Sequence, residues 1–323
     1  MKHENTHYQN IPVIDMSYYY DNAKYDVKKL ANDIKEIYTT IGFAYIINHD
    51  VSHNLIDNIL IEAKRFHSLP MEEKLSIKQN KSFRGYMPLK SSTTKDSSLK
   101  IVTKSPNVNE SFIIAHNDDY ENKIISPNDY YNLMGDNQWP TGLSGFKETV
   151  TAYNRDVLNL ANDLLKIFAM AFNYPYEQIA TTFNKPTTIL RMLHYPSQPL
   201  QKESDFGFAP HTDSGFLTIL LQDEIGGLLV QKTDGNWIDV EPKKYAFILN
   251  TGDMVSSFTN GQFISTPHCV KNNYKHSRFS IPFFFDPNMS TCVEPLVPFK
   301  DLNDDFEPFI YGKHLLKRLN SNY

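Results

Sequence analysis

The sequence predicts an α+β protein that is mainly β: a double-stranded β-helix, or jelly roll, flanked by N-terminal helices and one long supporting helix. Three observations carry this. After Pro186 the apolar residues fall into short runs of strand period, separated by turn dipeptides. Between Phe146 and Ile167 they fall instead on one helical stripe. Ahead of these, helical stripes and short apolar runs alternate, so the N-terminal region is mixed.

Taken in order, Ile11-Pro12-Val13-Ile14-Asp15 reads as a short strand. Val27, Leu30, Ile34, Ile37 and Ile41 then recur at the three- and four-residue steps of a helix with one buried face. Gly42 breaks that pattern, and Phe43-Ala44-Tyr45-Ile46-Ile47 follows as a buried strand. Residues 53–66 return to helical spacing before Leu69-Pro70. From Gln79 to Gln138 the chain is rich in Ser, Thr, Asn, Asp and Lys, which predicts loops crossing the surface. Phe146, Val150, Tyr153, Val157, Leu160, Leu164 and Ile167 predict the long helix.

Thr188 to Met192, Phe216 to Leu221, Tyr245 to Leu249 and Arg278 to Phe285 predict strands of the roll. Asp234-Gly235, read as a two-residue turn, would pair Leu229 with Val240 and Gln231 with Ile238, and Asn260-Gly261 predicts a second hairpin. The organisation expected is residues 1–185 as a mixed region packing on the core, 186–288 as the roll, and 289–323 as a tail. A short helical pattern at Leu315, Leu316 and Leu319 ends the tail, and the whole forms one structural unit.

With 323 residues, 41% hydrophobic and 13% aromatic, the chain can bury a large core. A net charge of −5 and a pI near 6.1 give no broad basic surface, which argues against a nucleic-acid partner. Cys269 and Cys292 are the only cysteines, too few for a disulfide framework or a multi-thiolate metal site. The polar first ten residues lack an apolar signal core, and no stretch is long and apolar enough to span a bilayer. No membrane partner and a cytoplasmic location are therefore expected, and small-molecule chemistry is the function class that remains. Nothing in the pattern specifies an oligomeric state.

That chemistry is concentrated in His211-Thr212-Asp213, His268 and Arg278-Phe279-Ser280. Residues i and i+2 of a strand share a face, so His211 and Asp213 can address one metal while Thr212 turns away. Two imidazoles and a carboxylate leave three positions open on a six-coordinate iron. A His-x-Asp triplet alone arises by chance in roughly one chain in three of this length. Its meaning comes from the predicted roll, from the third ligand at His268, and from Pro267, which fits a strand end where a side chain is re-aimed. Zinc accepts the same atoms. Iron is favoured because Arg278 and Ser280 offer a guanidinium fork and a hydroxyl to a carboxylate, as a metal-chelating organic acid would need. His3, His7, His49, His53, His67, His116, His276 and His314 have no ligand-spaced partner and read as ordinary surface or core residues, whereas His194 flanks Tyr195 and could line the pocket.

At this point the chain resembles the iron(II)- and 2-oxoglutarate-dependent dioxygenases, in particular the isopenicillin N synthase-like branch, over nearly its whole length. The similarity begins at Ile11 to Asp15, the Gly42-Phe43 strand ending near Asn48-His49, Phe66 to Lys74, and Arg84-Gly85-Tyr86. It continues through Leu190-Arg191-Met192-Leu193-His194-Tyr195-Pro196, His211-Thr212-Asp213, Gln222-Asp223, Gly226-Gly227-Leu228, Asp234 to Trp237, Asn250-Thr251-Gly252-Asp253 and Thr259-Asn260-Gly261. His268 and Arg278-Phe279-Ser280 close the series.

The resemblance implies that His211, Asp213 and His268 hold Fe(II), and that Arg278, Ser280 and Tyr195 anchor the distal carboxylate of 2-oxoglutarate. It implies oxidative decarboxylation to succinate and CO2, coupled through O2 to hydroxylation or another C–H oxidation of a small substrate, with no separate acid or base. Leu193 stands where many plant members have Asn, and Cys269 where an arginine often follows the last ligand, so the contacts those residues make are absent here. Asp213 argues against a halogenating variant, in which halide takes the carboxylate's position. Two other readings keep the same residues: an iron oxidase that does not use 2-oxoglutarate, and a non-catalytic jelly-roll protein that binds an organic acid.

For the substrate, the resemblance brings the Arg84 and Tyr86 loop toward the iron face. Some relatives of similar pattern act on basic amino acids, for which Glu110 would be a cation partner. Phe208, Ser214 and Phe216 flank the ligand triplet and are expected in the pocket wall, although aromatic residues there are more often core, and an amino-acid-like or other small polar substrate follows.

Overall fold

The computed structural model of the protein describes residues 10–94, 105–116, 133, 135–200, 205–302 and 305–322. His3 and His7 lie outside this set. The chain opens with β1 (Val13–Asp15), α1 (Ser17–Tyr20), α2 (Val27–Tyr38), β2 (Phe43–Ile47), α3 (His53–His67) and α4 (Met71–Ser76). It continues with β3 (Gly85–Met87), β4 (Glu110–Ala115), α5 (Phe146–Ala171), α6 (Tyr176–Thr182), β5 (Thr187–Tyr195), β6 (Phe208–His211), β7 (Leu217–Gln222), β8 (Leu228–Gln231) and β9 (Trp237–Asp239). Then come β10 (Phe247–Thr251), α7 (Asp253–Phe258), β11 (His268–Val270), β12 (Arg278–Asp286), β13 (Cys292–Val293), β14 (Phe309–Ile310) and α8 (Tyr311–Asn322).

The strands form the two layers of a jelly roll. A major sheet runs β1-β2-β10-β7-β12-β5-β4-β3, and a minor sheet runs β6-β11-β8-β9. β10, β7, β12 and β5 form the centre of the major sheet, while β2 extends one edge by pairing with β10 and β4 extends the other by pairing with β5. N-terminal strands thus complete the sheet that the roll begins. One face of it is covered by α3 and α5. The other looks across a cavity at the minor sheet.

Alternation decides which side chain meets which layer. On β5, Arg191, Leu193 and Tyr195 face the cavity, and on β12 Arg278, Ser280, Pro282, Phe284 and Asp286 do. Their neighbours Ile281, Phe283 and Phe285 are buried in the core under the helices. α5 buries Phe146, Val150, Tyr153, Val157, Leu160, Leu164 and Ile167, the expected stripe, and carries it one turn further to Ala171.

Several expectations are corrected. Ile41 lies past the end of α2, whose last turn is closed when the Ile41 and Gly42 amides both fold back on the Ile37 carbonyl. Gly42 has φ +69°, and a Cβ there would stand 2.3 Å from Thr266 Oγ1, so only glycine fits this turn. The segment from Gln79 to Gln138 is not all loop: it contributes β3 and β4, whose three and six residues are too short to show a period. The hairpin at Asp234-Gly235 pairs Leu229 with Asp239, Val230 with Ile238 and Gln231 with Trp237. Its loop is three residues long, because the Lys232 amide donates to the Asn236 carbonyl and Gly235, at φ +86°, donates to the Lys232 carbonyl. Asn260-Gly261 makes no hairpin. Both residues have positive φ, and the Gly261 amide donates to Ser256 O, which caps α7.

Candidate metal centre

His211, Asp213 and His268 converge, each offering one ligand atom, with these atoms all within 4.8 Å of one another. His211 and His268 are direct cross-strand partners on β6 and β11, their rings 4.2 Å apart. Nε2 of each ring lies 3.6 Å from Asp213 Oδ1. One detail departs from the expectation. His211 is the last residue of β6, so Asp213 reaches the site from the loop beyond it rather than as a strand neighbour two residues on.

The tautomers and the carboxylate are both fixed for ligation. Nδ1 of His211 donates to Ala209 O at 2.9 Å, and Nδ1 of His268 donates to Thr266 O at 3.1 Å. Each ring therefore presents an unprotonated Nε2 to the site. Asp213 Oδ2 accepts from Thr218 Oγ1 at 2.6 Å and from Asn250 Nδ2 at 2.7 Å, which leaves Oδ1 for the metal. Burial alone would raise the Asp213 carboxyl, but the His268 and His211 imidazoles and the Thr218 hydroxyl outweigh it and hold it below the usual carboxylate range. Burial, with His211 beside it, pushes His268 down to about 4, so its imidazole is neutral at neutral pH. Cys269 is no competing ligand, since burial pushes its thiol up to about 12.

The expected carboxylate anchor lies on the facing sheet. Arg278 is almost fully buried, and among the described residues only its Nη2 has an acceptor, Gln222 Oε1 at 3.1 Å. Nε and Nη1 are buried donors with no partner among the described residues. A buried guanidinium with two unanswered donors is costly unless an anion completes it, and the terminal carboxylate of 2-oxoglutarate matches that fork. Tyr195, directly opposite Arg278 in the β5–β12 ladder, lies with its ring centroid 5.0 Å from the guanidinium carbon. Ser280 lines the same cavity, whose volume is about 190 Å³. Donor set and anchor both fit a metal-chelating keto acid.

The expected substrate residues divide. Phe208 and Ser214 line the cavity, with the Phe208 ring 4.4 Å from that of His211. Arg84, Tyr86 and Glu110 do not. Arg84 donates to the carbonyls of Ser82, Leu133 and His116. Glu110 sits opposite His194 on the helix-covered face of β4, where it accepts from His194 Nδ1 at 2.8 Å, Lys74 Nζ at 3.0 Å and the Tyr86 hydroxyl. His67 Nδ1 is 3.5 Å from the same carboxylate. This network staples α3 and α4 to the sheet and places His194 away from the iron cavity. Sequence reasoning gave no role to Gln222, Thr218 or Asn250, although Gln222 and Asn250 fall in the motifs that carried the resemblance. Their roles follow from register, with Gln222 opposite Ser280 and Asn250 opposite Thr218.

Comparison with known proteins agrees with this site. Residues 186–287 match the family model of the 2OG-Fe(II) oxygenase superfamily, and residues 11–142 match that of the non-haem dioxygenase in morphine synthesis N-terminal region. The chain is 31% identical to the 2-oxoglutarate-dependent dioxygenase citB of Monascus ruber, covering 97% of this chain and 95% of that protein. It is 30% identical to a homoarginine-6-hydroxylase of Arabidopsis thaliana, over 98% of this chain and 99% of the relative. Among solved structures, full-length Neurospora crassa T7H in complex with alpha-KG superposes with a TM-score of 0.83 at 25% identity, covering 99% of each chain. With its His-Asp-His centre, its unanswered arginine fork and relatives matched from end to end, the chain belongs to the 2-oxoglutarate- and Fe(II)-dependent oxygenase superfamily and is an enzyme of that class.

Proposed function

We propose that the small substrate oxidised at this centre presents a carboxylate or paired carbonyl oxygens to Arg191. The bound metal and 2-oxoglutarate supply the oxidising power, and the residues of the chain supply orientation and a dry enclosure. The carrying observation is that Arg191 faces the same cavity as Tyr195, four residues along β5, about 13 Å away at ~3.3 Å per residue. Its guanidinium carbon lies 5.7 Å from the centroid of Phe208, whose ring contacts His211. Arg191 is steadied by Ser111 Oγ at 2.9 Å and by Asn109 Oδ1. Arg278, opposite Tyr195, and this second arginine thus stand at opposite ends of the row Arg191, Leu193 and Tyr195 that β5 turns to the cavity.

Charge supports the same choice. Among the described residues the cavity is lined by Arg191, Arg278 and Arg318, while its carboxylates are Asp213, committed to the metal, and Asp286. Asp286 accepts from the Phe216 amide and the Tyr311 hydroxyl, both at 2.6 Å. Glu110, the expected partner of a cationic substrate, is occupied by Lys74 on the other face of the sheet. An amino acid, bound by its carboxylate, remains within the proposal, and relatives named homoarginine-6-hydroxylases fit it. So does T7H, solved with thymine, a base with two carbonyl oxygens. A cytoplasmic location belongs to the same proposal, since Cys269 and Cys292 are both unpaired, as a reducing compartment keeps them.

The test is a panel of carboxylic acids, imide-like bases and simple amines, scored by the succinate each adds to the basal rate. Acids or imides are expected to stimulate, and Arg191→Gln should raise their KM about tenfold or more while leaving 2-oxoglutarate affinity unchanged. Stimulation by amines alone, or an Arg191→Gln enzyme with wild-type KM, refutes the assignment.

A further inference from the structure

Arg318 is a charged residue in the cavity wall that neither the metal nor the co-substrate site uses. It lies on α8, which also contributes Leu315, Leu319 and Asn322 to the lining. Its Nη2 donates at 3.1 Å to the carbonyl of Thr212, the one residue between the ligands His211 and Asp213, and stands 3.8 Å from the Asp253 carboxylate. Asp253 in turn donates its amide to the Asp213 carbonyl at 2.8 Å. A second tie runs from the start of α8, where the Tyr311 hydroxyl and the Phe216 amide share the Asp286 carboxylate. The segment 211–216 is therefore held at Thr212 directly by the C-terminal helix and at Phe216 by Asp286 of β12, whose other oxygen that helix also grips.

We propose that Arg318 is a positioning residue that couples the seating of α8 against the cavity to the geometry of the metal ligands. The inference rests on the metal reading of His211, Asp213 and His268. The carbonyl of Thr212 belongs to the peptide that leads into Asp213, so losing the Arg318 donor lets the Asp213 backbone shift and works against the grip of Thr218 and Asn250 that aims Oδ1 at the two Nε2 atoms. α8 seated on the cavity thus completes the coordination face, and α8 lifted loosens it.

The experiment uses the full chain with Mn(II) and Co(II) as probes. Mn(II) affinity is measured by electron paramagnetic resonance, the Co(II) visible spectrum reports coordination geometry, and amide exchange is followed over residues 211–216. Arg318→Met is expected to weaken Mn(II) binding about tenfold, to alter the Co(II) band, and to speed exchange at residues 213–216. Arg318→Lys, which keeps a donor, should recover most of the affinity, and Lys317→Met, on the exposed side of α8, should change nothing. A folded Arg318→Met protein with Mn(II) affinity within about twofold of wild type overturns the proposal. If Arg318→Met does not fold, Tyr311→Phe, which loosens the start of α8, decides: a wild-type Co(II) spectrum overturns it, and a changed spectrum supports it. Failure of wild-type protein to bind Mn(II) at all would instead sink the metal reading beneath it.

Discussion

At the scale of single residues the site is defined by what is left unanswered. Thr218 and Asn250 take one Asp213 oxygen and leave the other, backbone carbonyls take Nδ1 of both histidines and leave Nε2, and Gln222 takes one nitrogen of Arg278 and leaves two. Replacing Arg278 by Met is expected to raise the KM for 2-oxoglutarate about 10- to 100-fold, the worth of charge-assisted hydrogen bonds lost from a buried fork. Mn(II) affinity in the absence of 2-oxoglutarate should stay within about twofold, because the guanidinium touches no ligand side chain. Steady-state kinetics beside metal titration separates the two, and an unchanged KM would show that the co-substrate carboxylate binds elsewhere. That His211, Asp213 and His268 converge and that Arg278 enters the same cavity could be read from the sequence, because such chemistry needs particular side chains. The parts of Gln222, Thr218 and Asn250 could not be, because an amide or a hydroxyl acquires such a role only once strand register has placed it.

Among elements, β4 shows the limit of reading by proximity. Glu110 is a buried carboxylate one residue from Ser111, which supports Arg191, yet the pleat sends the two to opposite faces. Lacking six more residues of clean alternation, the segment gave no parity from which to choose. The position of Glu110 makes it a fastener, and Glu110→Ala is expected to cost about 3–5 kcal/mol, since Lys74 would be left buried without its partner. Thermal or urea unfolding measures that loss; a destabilisation below about 1 kcal/mol would show the network to be incidental. Acidification acts on the same network. Burial holds His67 below its ordinary 6.5, and hydrogen bonds from His194 and Tyr86, with His67 close beside them, hold Glu110 below its ordinary 4.5 against the opposing effect of burial. Both groups are depressed, so the stability they contribute is present above those values and is lost as pH falls below about 6.5 for His67 and about 4.5 for Glu110. Melting temperature followed from pH 7.5 to 5 should fall in wild type and less steeply in His67→Gln.

For the whole molecule, the core that backs the major sheet is continuous with the floor of the metal loop. Phe216, fully buried, packs its ring against Phe168, Phe172, Phe183 and Phe258 while its amide is bound to Asp286. Phe216→Ala is expected to cost about 3–5 kcal/mol in urea unfolding, and a loss under about 1 kcal/mol would mean that the cluster closes without it. Long elements such as α5 and the central strands were visible beforehand because their periods repeat, whereas α7 and the pairing of β8 with β9 depend on turns of one residue more or less. The arrangement of the ligands carries a further consequence. Both imidazoles belong to the minor sheet, while the carboxylate is gripped by Thr218 and Asn250 of the major sheet. A bound metal is then a rivet through the two walls of the roll, and any slippage between the walls is felt first as a misfit at the rivet. Heat or mild denaturant should accordingly release metal, and with it activity, before the helices and strands themselves come apart.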